Sequence, residues 1–290
     1  MSRLRSVAQA HPASTSRTRD GTRTAGALRH RVTTAAPNAA LVAPRGGKAE
    51  RLGRRFAGRS PILLFCLTTL AGYAILAALM IGLGFLLVDV VLPVHVIGHD
   101  DEAVNTWLAS HRSPSRDDAS FVGTAIGDIP FIPALVIFTA IGAAILRRWR
   151  VLAFIVGAIA VEVATYRVTS LIVHRQRPSV PRLNPEHLPV NQSYPSGHVA
   201  AAVVVYVGLA LLISARLRNP GARMALWTVA IALPLAVAVS RMYRGMHHPL
   251  DVTAGCLMGL AAISIALFAT RAAGEASRLR SSTERDGARA

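Results

Sequence analysis

Read for hydropathy along its length, the chain stays polar to about residue 60 and then alternates long apolar runs with short polar connections. Six runs stand out, at 62–88, 131–146, 151–173, 198–214, 224–239 and 252–270. A bilayer core about 30 Å thick takes about 20 residues of helix, and shorter runs are accommodated within a bundle. The pattern therefore predicts an all-α fold, a six-transmembrane helical bundle with a disordered basic N-terminal tail, and no internal repeat is evident. The expected division is a cytoplasmic tail over 1–60, a membrane domain over 61–271 and a cytoplasmic C-terminal tail over 272–290.

Composition agrees with the membrane reading, since 52% of the 290 residues are hydrophobic and the mean hydropathy is +0.41. The net charge of +17 points at first toward nucleic acid, but residues 1–60 hold 13 basic against 2 acidic residues, a net of +11. Most of the excess thus lies in the tail, whose only aromatic residue, Phe56, leaves little for stacking on bases. No nucleic-acid partner is expected; attraction to anionic lipid heads is. An Arg- and Ser-rich, acid-poor start also fits an organellar transit peptide, which stays open, whereas a secretory signal does not fit an apolar run that begins near 61. Cys66 and Cys256 fall inside apolar runs and read as small packing residues.

Basic loops stay in the cytoplasm, so arginine placement sets the orientation. Arg147, Arg148 and Arg150 separate runs 2 and 3; Arg216, Arg218 and Arg223 separate runs 4 and 5; Arg271, Arg278 and Arg280 follow run 6. Segment 94–130 instead carries Asp100, Asp101, Glu102, Asp117, Asp118 and Asp128 against Arg112 and Arg116. The expectation is a multi-pass cell-membrane protein with both termini cytoplasmic and 94–130 outside. Within that outer segment, Ala103, Val104, Trp107 and Leu108 have helical spacing, which predicts an interfacial helix with an anchoring role.

Three polar clusters fall at the outer ends of the runs: Arg175-Gln176-Arg177-Pro178, Pro195-Ser196-Gly197-His198, and Ser240 to Asp251. Together they offer Arg177 and Arg241, with Arg175 and Arg244 as further candidates, beside His198, His247 and Asp251. Such a pocket suits a phosphate. Guanidinium forks match phosphate oxygens and follow the charge that spreads over them in phosphoryl transfer. Ser196-Gly197 opens a helix whose free amides favour an anion, and glycine lets the backbone come close. Two imidazoles can divide nucleophile from general acid. Asp251 lies four residues after His247, so its carboxylate is expected to accept a proton from one ring nitrogen of His247, leaving the other to attack phosphorus while His198 protonates the leaving group.

These segments, Arg177-Pro178, Pro195-Ser196-Gly197-His198 and Ser240-Arg241 through His247 to Asp251, resemble the three-part signature of the type 2 phosphatidic acid phosphatase (PAP2) superfamily, membrane branch. The resemblance covers roughly 120 residues, from run 3 to run 6. It implies a six-helix membrane enzyme that forms a phosphohistidine at His247, oriented by Asp251, with His198 as general acid, Arg177, Ser196, Gly197 and Arg241 binding phosphate, and neither metal nor cofactor. Soluble acid phosphatases and vanadium haloperoxidases share the signature, so it names a site and not a substrate.

One position departs. The family's first motif has a lysine seven residues before its arginine, and Ser170 stands there; the chain's sole lysine is Lys48. Arg167, Ser170, His174 and Arg177 follow a 3, 4, 3 spacing on one helix face, so Arg167 is a candidate substitute for the missing charge, weighed against an ion pair with Glu162. Arg175 and Arg182 are further candidates. His174 and His187 read as polar interface residues, and His248 as a cap or a lining residue. Arginines crowd the candidate histidines, which makes a histidine-rich metal site a poor reading. The expected activity is hydrolysis of a lipid phosphate or diphosphate, such as a polyprenyl diphosphate or phosphatidic acid. A lipid-linked phosphotransferase and a non-catalytic lipid-binding relative are the alternatives.

Overall fold

A computed structural model describes residues 38–128, 131–183 and 192–288, all of which belong to one compact unit spanning Ala35–Ala290. Every named element among them is helical. In chain order they are α1 (Lys48–Arg55), α2 (Pro61–Phe85), α3 (His95–Ser110), α4 (Pro114–Ala125), α5 (Phe131–Ile145), α6 (Trp149–Ile172), α7 (Gly197–Ala202), α8 (Gly208–Ser214), α9 (Pro220–Tyr243) and α10 (Pro249–Gly287). A π-helical turn, Val203–Val207, joins α7 to α8 into one 18-residue rod.

All six apolar runs are helices, but five of them are long enough to cross a bilayer: α2 with its π extension, α6, the α7–α8 rod, α9 and α10. The sixth, α5, has 15 residues, about 22 Å at 1.5 Å per residue and so short of a full crossing. The chain is a multi-pass membrane protein by these helices. Their starts follow local chemistry. Ser60 accepts a hydrogen bond from the Leu63 amide ahead of Pro61, and Asn219 accepts from Gly221 and Ala222 ahead of Pro220. Both pair a side-chain cap with a proline whose fixed φ suits the first helical turn.

The core is built on α10, which packs against α2, α6 and α7. Phe154, Val161, Val204, Met258, Ala262 and Ala266 are almost wholly buried there. Small residues let the backbones approach. A Cβ on Gly255 would lie 2.5 Å from the Ser196 carbonyl oxygen, and one on Gly259 2.7 Å from that of Ala200. These two positions seat the start of the α7–α8 rod directly against the start of α10. Outside the core, Ile62, Leu67, Leu79, Phe138 and Met224 are exposed, as side chains that meet lipid should be.

Two expected boundaries move. The tail predicted to be disordered over 1–60 contains a 3-10 turn (Ala39–Leu41) and α1, while residues 1–37 lie outside the described residues. Ala49, Leu52 and Phe56 form an apolar cluster with Leu64, Phe268, Ala272 and Ala276, and Arg54 and Arg278 both reach Glu275. The expectation weighed charge and overlooked this short amphipathic stripe. The same packing extends α10 to Gly287, beyond the expected end at 271. The outer segment forms α3 as expected, with Trp107 60% exposed, and also α4, which packs on α9.

Docking of α1 depends on Gly53, since an added Cβ would meet the Ala272 carbonyl at 2.6 Å and Glu275 Cβ at 2.7 Å, whereas Gly58 has open space. Gly53→Ala is therefore expected to release α1 despite alanine's higher helix propensity. Limited trypsin digestion in detergent should cut Gly53→Ala faster at Arg51, Arg54 and Arg55, with Gly58→Ala cut at the wild-type rate.

Candidate active site

The site is organised around a carboxylate with no solvent contact. Asp251, in the first turn of α10, is fully buried. Its Oδ1 receives Arg175 Nη1, and its Oδ2 accepts from Ser193 Oγ at 2.6 Å and from the His248 amide at 2.9 Å. Its backbone carbonyl accepts from the Ser196 amide at 3.1 Å. One residue thus joins the end of α6, the segment before α7 and the start of α10. Arg175 bridges onward to Asp101 of α3, whose Oδ1 accepts from the Leu250 amide at 3.0 Å. Charges this deeply buried persist only when paired and hydrogen-bonded throughout, as these are.

His247 sits in the connection between α9 and α10, 3% exposed. Its Nδ1 lies 2.7 Å from the Ser193 carbonyl oxygen. A carbonyl only accepts, so Nδ1 carries the hydrogen and Nε2 keeps a free lone pair. The expected bond to Asp251 is not formed, the nearest approach being 4.0 Å. Asp251 has spent its oxygens on Arg175, Ser193 and His248, and it positions His247 indirectly by anchoring Ser193. From the far side, Asn105 of α3 donates Nδ2 to the carbonyls of Met242 and His247, each at 3.0 Å.

Arg177 and Arg241 converge on the same place. Arg177 donates Nη1 to the Met246 carbonyl at 2.6 Å and Nη2 to Gln192 at 3.0 Å, and Arg241, 1% exposed, donates Nη1 to Thr124 Oγ1 at 3.2 Å. Burial, then the charges of Arg241 and Arg177, hold the His247 imidazole well below its ordinary value of 6.5; Asp251 opposes them and His198 adds to them. The geometry agrees: Arg177 donates to the Met246 carbonyl and the Met246 amide donates to the Arg241 carbonyl at 2.9 Å, so both arginines bear on the residue next to His247. His198, at the start of α7, points Nε2 toward Asp128 Oδ1 at 3.1 Å. Arg244 is held by Ser120 Oγ at 3.1 Å and the Leu183 carbonyl at 3.1 Å.

Other candidates sit apart from this cluster. Arg167 is exposed on α6, while Ser170, three residues on, is buried and donates its hydroxyl back to the Arg167 carbonyl at 3.2 Å. The edge of the buried face runs between them. Arg167 forms no ion pair with Glu162. Ser196 and Gly197 lie at the start of α7 as expected; Gly197 rests against the Tyr166 ring, where a Cβ would be 3.0 Å away. His174 is exposed, and His187 lies outside the described residues. His248 caps α10 reciprocally with Asp251 and lies 2.8 Å from Glu102 Oε2. Burial works against the Glu102 charge, but hydrogen bonds from Ser179 and His248 outweigh it and hold the carboxyl below its usual range.

The residues that reading of the sequence missed are the supports. Asp101, Glu102 and Asn105 line the inner face of a helix expected to be an anchor, Asp128 pairs with His198, and Ser193 orients His247. The acidic run in 94–130 was the available signal, spent there on topology alone.

The helices and the cluster define a multi-pass membrane protein with a buried arginine–histidine site. Residues 133–274 match the PAP2 superfamily, and the chain carries a domain of that superfamily. A curated undecaprenyl-diphosphatase of Sulfolobus acidocaldarius is 35% identical over 113 residues, 38% of this chain; the chain spans about half, 48%, of that relative's length. A crystal structure described as the first transmembrane PAP2 type phosphatidylglycerolphosphate phosphatase from Bacillus subtilis shares the fold. Its TM-score is 0.53 at 22% identity, over 71% of this chain and 94% of that one.

Two outcomes follow from the buried charges. Arg175→Met leaves Asp101 and Asp251 buried without their cation, a loss on the order of 3–5 kcal/mol, which thermal unfolding in detergent should register as a large fall in Tm. His247 binds its proton less readily folded than unfolded, so the unfolded state takes up more protons as pH falls below about 6.5. Stability present above that pH should therefore decline with acidification, and His247→Gln should show a shallower decline between pH 7 and 5.

Proposed function

We propose that this protein hydrolyses a phosphate or diphosphate monoester of a membrane lipid through a phosphohistidine on His247. The observation that carries the reading is an imidazole whose Nδ1 is committed to the Ser193 carbonyl, leaving the Nε2 lone pair, beside Met246, which bonds to both Arg177 and Arg241. Depression of the His247 pKa keeps that nitrogen unprotonated at neutral pH, as a nucleophile requires.

In the first step the Nε2 lone pair forms a bond to phosphorus while the bond from phosphorus to the lipid-side oxygen breaks. That oxygen takes the proton of His198, which Asp128 holds in place at 3.1 Å. Arg177 and Arg241 hold the non-bridging oxygens as charge spreads over them. In the second step water attacks phosphorus, its proton passes to His198, the nitrogen–phosphorus bond breaks, and inorganic phosphate leaves with His247 neutral again. No step draws on a metal.

A polyprenyl diphosphate is the favoured substrate, supported by the name of the curated relative, with phosphatidic acid as the competing lipid. The exposed Trp107 on α3, the helix that braces the site, supports a substrate presented at the membrane surface. The basic turns at Arg147–Arg150 and Arg216–Arg223 lie at the helix ends opposite this site and support cytoplasmic termini with an extracytoplasmic site.

Purified protein given defined lipids tests the reading. It should release inorganic phosphate, fastest from the polyprenyl diphosphate, with chelators having no effect. His198→Ala should lose about 10²–10⁴-fold with lipid alkoxide leaving groups and much less with an aryl phosphate. Appearance of the phosphate on a second lipid instead of in solution indicates a phosphotransferase. No turnover of any lipid phosphate, or chelator inhibition reversed by added metal, contradicts the proposal.

A further inference from the structure

A second feature lies at the opposite end of the molecule. Between α1 and the first turns of α2 runs a groove of about 310 Å³ whose walls include Leu52, Phe56, Leu63, Leu67 and Ala71, with Arg59 at its edge. Its volume falls within the roughly 300–1,000 Å³ of small-molecule sites. Gly53 of α1 rests on the Ala272 carbonyl. Ala272 follows Asp251 by 21 residues of the continuous helix α10, about 32 Å of rise. That separation equals the thickness of a bilayer core, so the groove and the phosphate-binding cluster lie at opposite membrane faces.

The stretch of chain that flanks the groove is strongly basic. Residues 45–59 carry Arg45, Lys48, Arg51, Arg54, Arg55 and Arg59 against Glu50 alone. Glu50 is already taken by Arg54 at 2.7 Å and by the Gly46 amide. Arg55 and Arg59 are exposed and form no ion pair among the described residues. An apolar trough with the Arg59 guanidinium in its wall and Arg55 four positions earlier at the end of α1 has the polarity of one phospholipid with an anionic head.

We propose that this groove binds a single anionic phospholipid, its acyl chain along Leu52, Phe56, Leu63 and Leu67 and its phosphate held by Arg55 and Arg59. The bound lipid fills the space that α1 leaves against α2 and so fastens the N-terminal helix to the inner membrane face. This site is separate from the catalytic reading and does not depend on it.

The test uses the full-length protein in mild detergent, freed of bound lipid, with excess inorganic phosphate present to occupy the catalytic cluster. Native mass spectrometry with equal amounts of phosphatidylglycerol and phosphatidylcholine of the same chain length should show retention of the anionic lipid. Each guanidinium near a lipid surface contributes about 1 kcal/mol, which is about five-fold, so Arg55→Gln and Arg59→Gln together should remove a preference on the order of 30-fold. Leu67→Trp and Leu63→Trp, both at exposed positions, should fill the trough and lose both lipids while eluting as the wild type does. Arg116→Gln, at an exposed arginine of α4 at the other end of the molecule, should keep the preference. A photo-crosslinking residue in place of Leu67 should capture phosphatidylglycerol. Equal retention of the two lipids by wild type, a preference that survives both sets of variants, or a cross-link to residues 1–37 of the chain itself would overturn the proposal.

Discussion

The buried ion pair between Arg175 and Asp251 is the constraint on which the rest of the site depends. A carboxylate without solvent in a membrane domain demands a cation and a full set of donors. The donors it recruits are the parts of the chain that must meet. Arg175 arrives from the end of α6, Ser193 from the segment ahead of α7, and the His248 amide from the turn that opens α10. Satisfying one acid brings three separate stretches to a common point. His247 acquires its tautomer as a consequence, through the Ser193 carbonyl. Gly255 and Gly259 complete the arrangement sterically, since only their lack of a side chain lets α10 lie against the backbone that carries His198.

That dependence also explains which features were legible beforehand. Long apolar runs announce helices through hydropathy alone, and all six runs are helical. Arg177, His198, His247 and Asp251 are recognisable because their spacing within short motifs is local. Their partners are not local: Glu102 meets His248 across 146 positions, and Asp128 meets His198 across 70. Nothing in the spacing of an acidic loop says which carboxylates face inward. Periodicity at Arg167 likewise says nothing of where burial ends. A shared helix face spans a wide arc, and the edge of burial fell between Arg167 and Ser170. In the tail, excess positive charge masked Ala49, Leu52 and Phe56, three apolar residues sufficient to dock a two-turn helix on α10.

Electrostatics divides the molecule between its two ends. At one, arginines are buried and their hydrogen bonds are made with carbonyls, hydroxyls and carboxylates, so that they lower the basicity of His247 while remaining fixed in place. At the other, Arg59 stands exposed in the wall of an apolar trough and the α1 arginines Arg51, Arg54 and Arg55 are exposed close by in sequence. The first arrangement suits a reaction in which charge develops on a bound phosphate; the second suits a lipid head that is held without being transformed. The same functional group serves both, and burial decides between them.

In the proposed reaction the Ser193 carbonyl fixes the His247 tautomer and so reserves Nε2 for phosphorus. The most direct measurement is rapid acid-free quenching of the protein during turnover of a radiolabelled lipid diphosphate, followed by digestion and separation of the two phosphohistidine isomers. Base-stable, acid-labile label is expected on Nε2 of His247. Label on Nδ1, label on another residue, or steady turnover by folded His247→Ala would contradict it.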